Sequence, residues 1–148
     1  MNNPFVLIRS DLDRDEKRQA IEACDASLPR PVTPRDNYDE IFEKMDRYAE
    51  FIAAYQNGIA GYVSMYANDQ ETKTAFITLF VVKDEFQRMH IGTELMNACR
   101  RIAERNKMKR IRLEVLNSNM KAISFYKKQG FYEEKPCSNI SIYMLMPL

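Results

Sequence analysis

The sequence predicts an α/β fold in which helices cover both faces of a mixed sheet. Two observations carry this prediction. The apolar patterns follow one another in the order β-α-α-β-β-β-α-β-α-β-β. An almost continuous apolar run at 75–82, typical of a buried strand, leads through a turn into an amphipathic helix that begins near Ile91. The chain length suits a single domain spanning residues 1–148.

The N-terminal third predicts one strand and two helices. The run 5–9 is apolar and partly β-branched, which is typical of a strand. Apolar residues at helical spacing predict a helix over about 13–26, and three prolines then make 27–36 a loop. A second helix is predicted over 37–48, where the aromatic side chains pack on the core or form one wall of a substrate pocket.

A hairpin follows these helices. The strand-like runs 51–55 and 59–66 flank Asn57-Gly58, and this dipeptide favours a tight hairpin because both residues accept a positive φ. The run 73–82 adds a third strand to an antiparallel meander. The remaining predicted elements are helices over 91–105 and 120–129 and strands over 110–115, from 131 and over 141–146. Gly130 suits the left-handed position that ends a helix.

Composition excludes several classes of protein. The chain is 45% hydrophobic and 29% charged, with a net charge of +1, which gives no reason to expect a nucleic acid or an anionic membrane as partner. The three cysteines form no CxxC pair and only one histidine is present, so a metal site is not expected.

The sequence also predicts a cytoplasmic location. No stretch approaches the ~20 apolar residues that span a bilayer, and the first residues lack the basic and apolar regions of a secretory signal. An odd number of cysteines fits a reducing compartment.

The turn Phe86-Gln87-Arg88-Met89-His90-Ile91-Gly92-Thr93 is the first candidate site. The first amides of a helix have no intrahelical partner, and the helix dipole adds partial positive charge there, so such a turn suits a phosphate. Arg88 adds formal charge, and Gly92 allows a ligand close to the backbone. An ordinary strand-to-helix turn explains this stretch, taken alone, equally well.

This turn resembles the coenzyme A signature of the GNAT superfamily of N-acetyltransferases, Gln/Arg-x-x-Gly-x-Gly/Ala. Gln87 takes its first place and Gly92 its last, while His90 stands where the middle glycine is usual. If that position requires a positive φ, histidine has a steric cost that glycine lacks.

A second stretch strengthens the resemblance. Residues 119–126, Asn119-Met120-Lys121-Ala122-Ile123-Ser124-Phe125-Tyr126, resemble the family pattern Asn-x-x-Ala-x-x-Phe/Leu-Tyr, and Gly130-Phe131 follows as it usually does there. The two motifs stand at the proper distance from each other, and the resemblance covers about 59–148. The N-terminal third matches only in element order.

The resemblance implies a GNAT-like acyl-CoA N-acyltransferase fold and an acetyl-CoA-dependent N-acetyltransferase, with acetyl-CoA as co-substrate. The turn amides would hold the pyrophosphate, and the backbone of Phe80 and Val82 would pair with the pantetheine beside a bulged strand. Asn119 resembles the side chain that binds the pantetheine arm, or it only caps its helix. Tyr126 resembles the catalytic general acid, or it is a core tyrosine. The implied cofactor-binding residues are Phe80, Val82, Gln87, Arg88, Met89, His90, Ile91, Gly92, Thr93, Asn119 and Tyr126.

Three questions stay open at this point. The general base could be Glu71, Glu114, Tyr62 or Thr78, or water and backbone carbonyls could take that role, as the resemblance implies for some family members. The acceptor could be a small-molecule amine or a protein N-terminus, and the protein a monomer or a homodimer. The alternative function is a non-catalytic acyl-CoA-binding sensor module, which His90 suggests, whereas the presence of Asn119 and Tyr126 favours an enzyme.

Overall fold

The computed structural model describes residues 5–87 and 90–148. Its strands are β1 (Leu7–Arg9), β2 (Glu50–Tyr55), β3 (Ile59–Tyr66), β4 (Thr74–Val82), β5 (Arg110–Leu116), β6 (Tyr132–Pro136) and β7 (Ser141–Pro147). Its α-helices are α1 (Arg14–Cys24), α2 (Tyr38–Tyr48), α3 (Ile91–Arg105) and α4 (Met120–Gln129), with short 3₁₀ turns at Asp25–Ser27 and Asp84–Phe86. The predicted order of strands and α-helices is confirmed.

The strands form one mixed sheet in the order β1-β2-β3-β4-β5-β7-β6. The first four strands make an antiparallel meander, as predicted. β4 and β5 are parallel, and α3 connects them. β7 then inserts between β5 and β6 and is antiparallel to both.

The sheet separates two apolar clusters, so the prediction of helices on both faces is confirmed. One cluster includes buried residues of α3 and α4, such as Leu95, Met96 and Ile123. The other includes buried residues of α1 and α2, such as Ile21 and Phe42.

β4 carries a bulge in its middle. Ser64 of β3 lies opposite Leu79, whereas the next residue, Met65, lies opposite Ile77, so Thr78 is an extra residue on β4. The Thr78 hydroxyl donates to the Ser64 carbonyl at 3.2 Å. A bulge of this kind bends a strand and increases its twist.

The bulge coincides with a split in the sheet. β4 pairs with β5 only from Thr74 to Ile77, against Arg110 to Leu113. Beyond Ile77, no described strand pairs with β4 on its β5 side. A gap therefore opens between the two parallel strands toward their carboxyl ends, where ligands commonly bind in such sheets.

Local signals are confirmed where one residue sets the backbone. Asn57 and Gly58 have φ of 56° and 111° in the hairpin, and Gly130 has φ of 112° after α4. The first strand is shorter than predicted. Its partner β2 ends at Tyr55, opposite Leu7, so Phe5 has no strand beside it and is 94% exposed.

Candidate active site

A cleft of about 940 Å³ occupies the gap between β4 and β5. Residues 78–82 of β4 and 114–116 of β5 form its opposite sides, and the beginning of α3 and the inner side of α4 lie along it. The loop between α1 and α2 contributes residues 27–30 and Arg35. The cleft therefore joins the turn before α3 to the α1–α2 loop through the split in the sheet.

The β4 edge of the cleft presents backbone groups that no strand of the described residues pairs. The Lys83 amide donates to the Ala60 carbonyl at 2.8 Å, so this pair is hydrogen-bonded across β3 and β4. Hydrogen-bonded and non-bonded pairs alternate along an antiparallel ladder. Phe80 and Val82 consequently direct their N–H and C=O groups away from β3 and into the gap, which an extended ligand could use as a strand would.

The turn before α3 has the backbone that the motif comparison anticipated. His90 precedes the helix with φ of 62° and ψ of 11°, the left-handed conformation that glycine adopts without steric cost. His90, Gly92 and Thr93 line the cleft. Ile91 is fully buried in the core, so only its backbone can serve a ligand there. The predicted contacts of Arg88 and Met89 lie outside the described residues.

Gln87 connects the end of β4 to α4. Its amide nitrogen donates to the Val82 carbonyl at 3.2 Å and to Asp84 Oδ1 at 3.3 Å. Its amide oxygen accepts a hydrogen bond from the Lys121 ammonium group. Gln87 thus binds one of the backbone groups that face the gap.

Asn119 lies at the beginning of α4 and lines the cleft. Its side-chain oxygen accepts from the Ala122 amide at 3.3 Å, so it is the N-cap of the helix. The side-chain NH2 group of an N-cap asparagine remains available to a ligand in the cleft.

Tyr126 lies on α4, lines the cleft and is 8% exposed. Its ring packs against Phe80, Phe125 and Phe131, with centroids 5.6–5.9 Å apart. Burial raises the pKa of the Tyr126 hydroxyl above its ordinary value. The hydroxyl is therefore protonated at neutral pH and is able to donate.

The four candidate bases are in different places. Glu114 and Thr78 line the cleft. Glu114 accepts a hydrogen bond from the Ser141 hydroxyl at 2.6 Å. Tyr62 is fully buried and stacks on Phe51, with ring centroids 5.1 Å apart, on the α1–α2 side of the sheet. Glu71 is exposed in the turn before β4 and does not line the cleft.

The part of the chain that the structure describes offers little support for other site classes. No cluster of three or more His, Cys, Asp or Glu side chains arranged to hold a metal ion occurs within 5–87 and 90–148. No helix in those ranges combines the length and apolar character needed to cross a membrane.

The chain belongs to the acetyltransferase (GNAT) family, because a model of that family matches residues 15–131. The family uses acetyl-CoA as acetyl donor. The match extends through both motifs and into α1, further toward the N-terminus than the sequence resemblance alone.

Solved structures share the fold. PaiA N-acetyltransferase from Thermoplasma acidophilum in complex with coenzyme A has a TM-score of 0.79 at 18% identity, covering 97% of this chain and 99% of that one. The ribosomal-protein-S18-alanine N-acetyltransferase of Escherichia coli has a TM-score of 0.78 at 20% identity, covering 97% and 94%. IAA acetyltransferase from Bacillus cereus has a TM-score of 0.73 at 18% identity, covering 97% and 100%.

One wall of the cleft consists of residues that neither sequence motif contains. Its members are Ser27, Leu28, Pro29, Arg30 and Arg35 of the α1–α2 loop. The prolines at 29, 31 and 34 predicted a loop there, and only the tertiary structure brings that loop to the split in the sheet.

Proposed function

We propose that this protein transfers the acetyl group of acetyl-CoA to a primary amine by direct attack of the amine. The observation that carries the proposal is the gap between β4 and β5. There the free backbone edge of Phe80 and Val82 faces a cleft that also contains Asn119 and Tyr126. The single chain of 1–148 would carry the whole site.

The donor half of the cleft fits coenzyme A in its chemistry. Phe80 and Val82 offer backbone amide and carbonyl groups that β3 does not pair to the amides of a pantetheine arm. Asn119 offers its NH2 group to the same arm. The first amides of α3, beside Gly92, offer donors to a pyrophosphate. For the Val82 carbonyl to serve, Gln87 would release it.

Acetyl-CoA supplies an acetyl group held as a thioester, which an amine nitrogen attacks. Tyr126 would act on the departing sulfur by donating its proton or a hydrogen bond. Its burial supports that role because a hydrogen bond is strengthened in a site of low dielectric constant. A buried and protonated phenol in the lining of the cleft suits a general acid.

Glu114 is our choice for the general base. It is the carboxylate among the described residues that line the cleft. Its neighbours Leu113 and Val115 belong to the cluster under α3 and α4, so the Glu114 side chain lies on the opposite face of the sheet. The amine could therefore give its proton to Glu114 on one face while Tyr126 serves the sulfur on the other.

The nature of the acceptor is drawn from the family and from the residues of the cleft. The names of two similar structures specify N-acetylation, and a small-molecule amine or a protein N-terminus fits that chemistry.

All three cysteines are free thiols, which supports a reducing, cytoplasmic location. The proposal holds for a monomer or a homodimer.

The first test is calorimetric titration with acetyl-CoA, followed by an assay of thiol release with a panel of primary amines. Micromolar binding with amine-dependent release supports the enzyme. Binding without release from any amine supports instead the acyl-CoA sensor. The absence of binding at millimolar acetyl-CoA contradicts both.

The second test addresses the base. Glu114→Gln should lower kcat at least tenfold while leaving acetyl-CoA affinity unchanged. Glu71→Gln is the matched control because that carboxylate is exposed and outside the cleft. Equal rates for Glu114→Gln and the control would remove Glu114 from its role.

A further inference from the structure

Two faces of the sheet contribute to the cleft. The turn before α3 and the residues of α4 belong to the face that contains α3 and α4. The α1–α2 loop lines the cleft from the opposite face, where its Val32 and Leu28 pack in the other cluster. If the donor binds along α3 and α4, as proposed above, the acceptor approaches along the α1–α2 loop.

This loop forms a fixed wall. The buried Asp25 carboxylate accepts from the Val32 amide at 2.7 Å, from the Thr33 amide at 3.0 Å and from the Thr33 hydroxyl at 2.5 Å. Arg35 donates to the carbonyls of Pro31 and Arg30 at 3.0 Å and 2.8 Å. The backbone of the loop is thus held in place before any acceptor arrives, which lowers the entropic cost of binding.

The charge that this loop brings to the cleft is positive, because Arg30 and Arg35 line it. Among the described residues that line the cleft, Glu114 is the carboxylate. The Arg35 guanidinium is engaged with the loop carbonyls. The Arg30 guanidinium is exposed and has no ion-pair partner within the described part of the chain. Arg30 is therefore free to bind an incoming anion.

The other cations of the cleft lie elsewhere. Lys121 and Lys128 line it from α4, and Lys121 contacts Gln87 beside the turn before α3. Under the proposed function, these lysines would serve the phosphates of the donor. Arg30 belongs instead to the α1–α2 loop, which packs on the opposite face of the sheet from α4.

We infer that the natural acceptor carries an anionic group, a carboxylate or a phosphate, in addition to the primary amine that is acetylated. Arg30 binds the anion, and Glu114 faces the amine. This inference rests on the proposed function. A second ammonium group on the acceptor would meet Arg30 and Arg35 and be repelled, so diamines and polyamines are poor acceptors. In the transfer, a C–N bond forms, the C–S bond breaks, and the amine proton leaves as the sulfur is protonated.

Three amines of equal length test the inference: 4-aminobutyrate, 4-aminobutanamide and 1,4-diaminobutane. We expect kcat/KM to fall in that order, by about tenfold or more between the first two, the size of one charge-assisted hydrogen bond. 3-Aminopropyl phosphate distinguishes the two anion chemistries, because a phosphate-specific site uses it better than 4-aminobutyrate. Equal or better use of the amide or the diamine overturns the inference.

Charge reversal supplies a second, independent readout. Arg30→Glu should abolish the preference for the anionic amines or reverse it, with little change in acetyl-CoA affinity. Arg47→Glu makes the same change in net charge at an exposed position outside the cleft and is the matched control. The same ranking of amines in both variants overturns the inference. Release of no thiol with any amine instead overturns the proposed function, and the inference with it.

Discussion

The Phe125 ring of α4 packs against the backbone of Gly92 at the beginning of α3. A β-carbon on Gly92 would come within 3.1 Å of Phe125 Cζ and 3.2 Å of its Cε1. Phe125 is only partly buried and lines the cleft. A larger residue at position 92 would therefore push this ring into the space that the donor needs.

We expect Gly92→Val to abolish acetyl-CoA binding while the protein remains folded. The displaced ring of Phe125 has room to move into the cleft, so the substitution should lower acetyl-CoA affinity more than it lowers the stability of the fold. Calorimetric titration and thermal unfolding measure the two effects, and Gly92→Ala should give an intermediate affinity. Normal binding by the valine variant would show that the donor does not use this turn.

Tyr126→Phe should lower turnover at least tenfold, which corresponds to about 1.4 kcal/mol of activation free energy. Acetyl-CoA affinity should be unchanged, because the ring contacts with Phe80 and Phe131 do not involve the hydroxyl. Steady-state kinetics with a good acceptor and calorimetric titration separate the two quantities. Tyr132→Phe removes a half-exposed hydroxyl and is the control. Unchanged turnover would assign Tyr126 to the core alone.

His90→Gly should stabilise the protein by about 1 kcal/mol, since a left-handed backbone costs a non-glycine residue about that much. His90 has φ of 62°. Acetyl-CoA should bind equally well or more tightly, because the turn keeps its shape. His90→Ala removes the imidazole but not the strain, so a large loss of affinity in both variants would show that the ring itself contacts the ligand.

Asp25→Asn should destabilise the protein by about 2 kcal/mol at pH 7. An asparagine NH2 group would face backbone donors of Val32 and Thr33, with which it cannot bond. Chemical denaturation of the variant and of the wild type measures the difference. Asp36→Asn, at an exposed position of the same loop, is the control.

The difference in stability between the wild type and Asp25→Asn should depend on pH. Burial by itself raises the pKa of Asp25, but the hydrogen bonds from Thr33 and Val32 and the charge of Arg35 outweigh it and hold this pKa below its ordinary value. The contribution of the carboxylate is then complete above its unfolded pKa of about 4 and disappears as the pH falls through the lower folded value. A difference in stability that is undiminished at acid pH would contradict this account of the loop.

Sequence reasoning succeeded where a short stretch fixes its own structure. The positive φ of Asn57 and Gly58 and the left-handed Gly130 follow from residue type. The two motifs identified the family, and the backbone at His90 has the conformation that a glycine there would favour.

The site depends on contacts between residues far apart in the sequence, which a local sequence pattern does not predict. The bulge at Thr78 exists only in relation to Ser64 and Met65 of β3. The contact of Gln87 with Lys121 joins residues 34 positions apart. The wall around Arg30 reaches the cleft only because Asp25 and Arg35 fold the loop back. These features required the tertiary structure.

The split between β4 and β5 leaves a seam in the middle of the sheet, where only four residue pairs join the two parallel strands. Under the proposed function, the donor itself would complete this seam by supplying the missing partner to Phe80 and Val82. The bound cosubstrate would then take the place of a strand in the sheet as well as being a reactant. Each release of coenzyme A would remove hydrogen bonds between the two halves of the sheet, and each new donor would restore them.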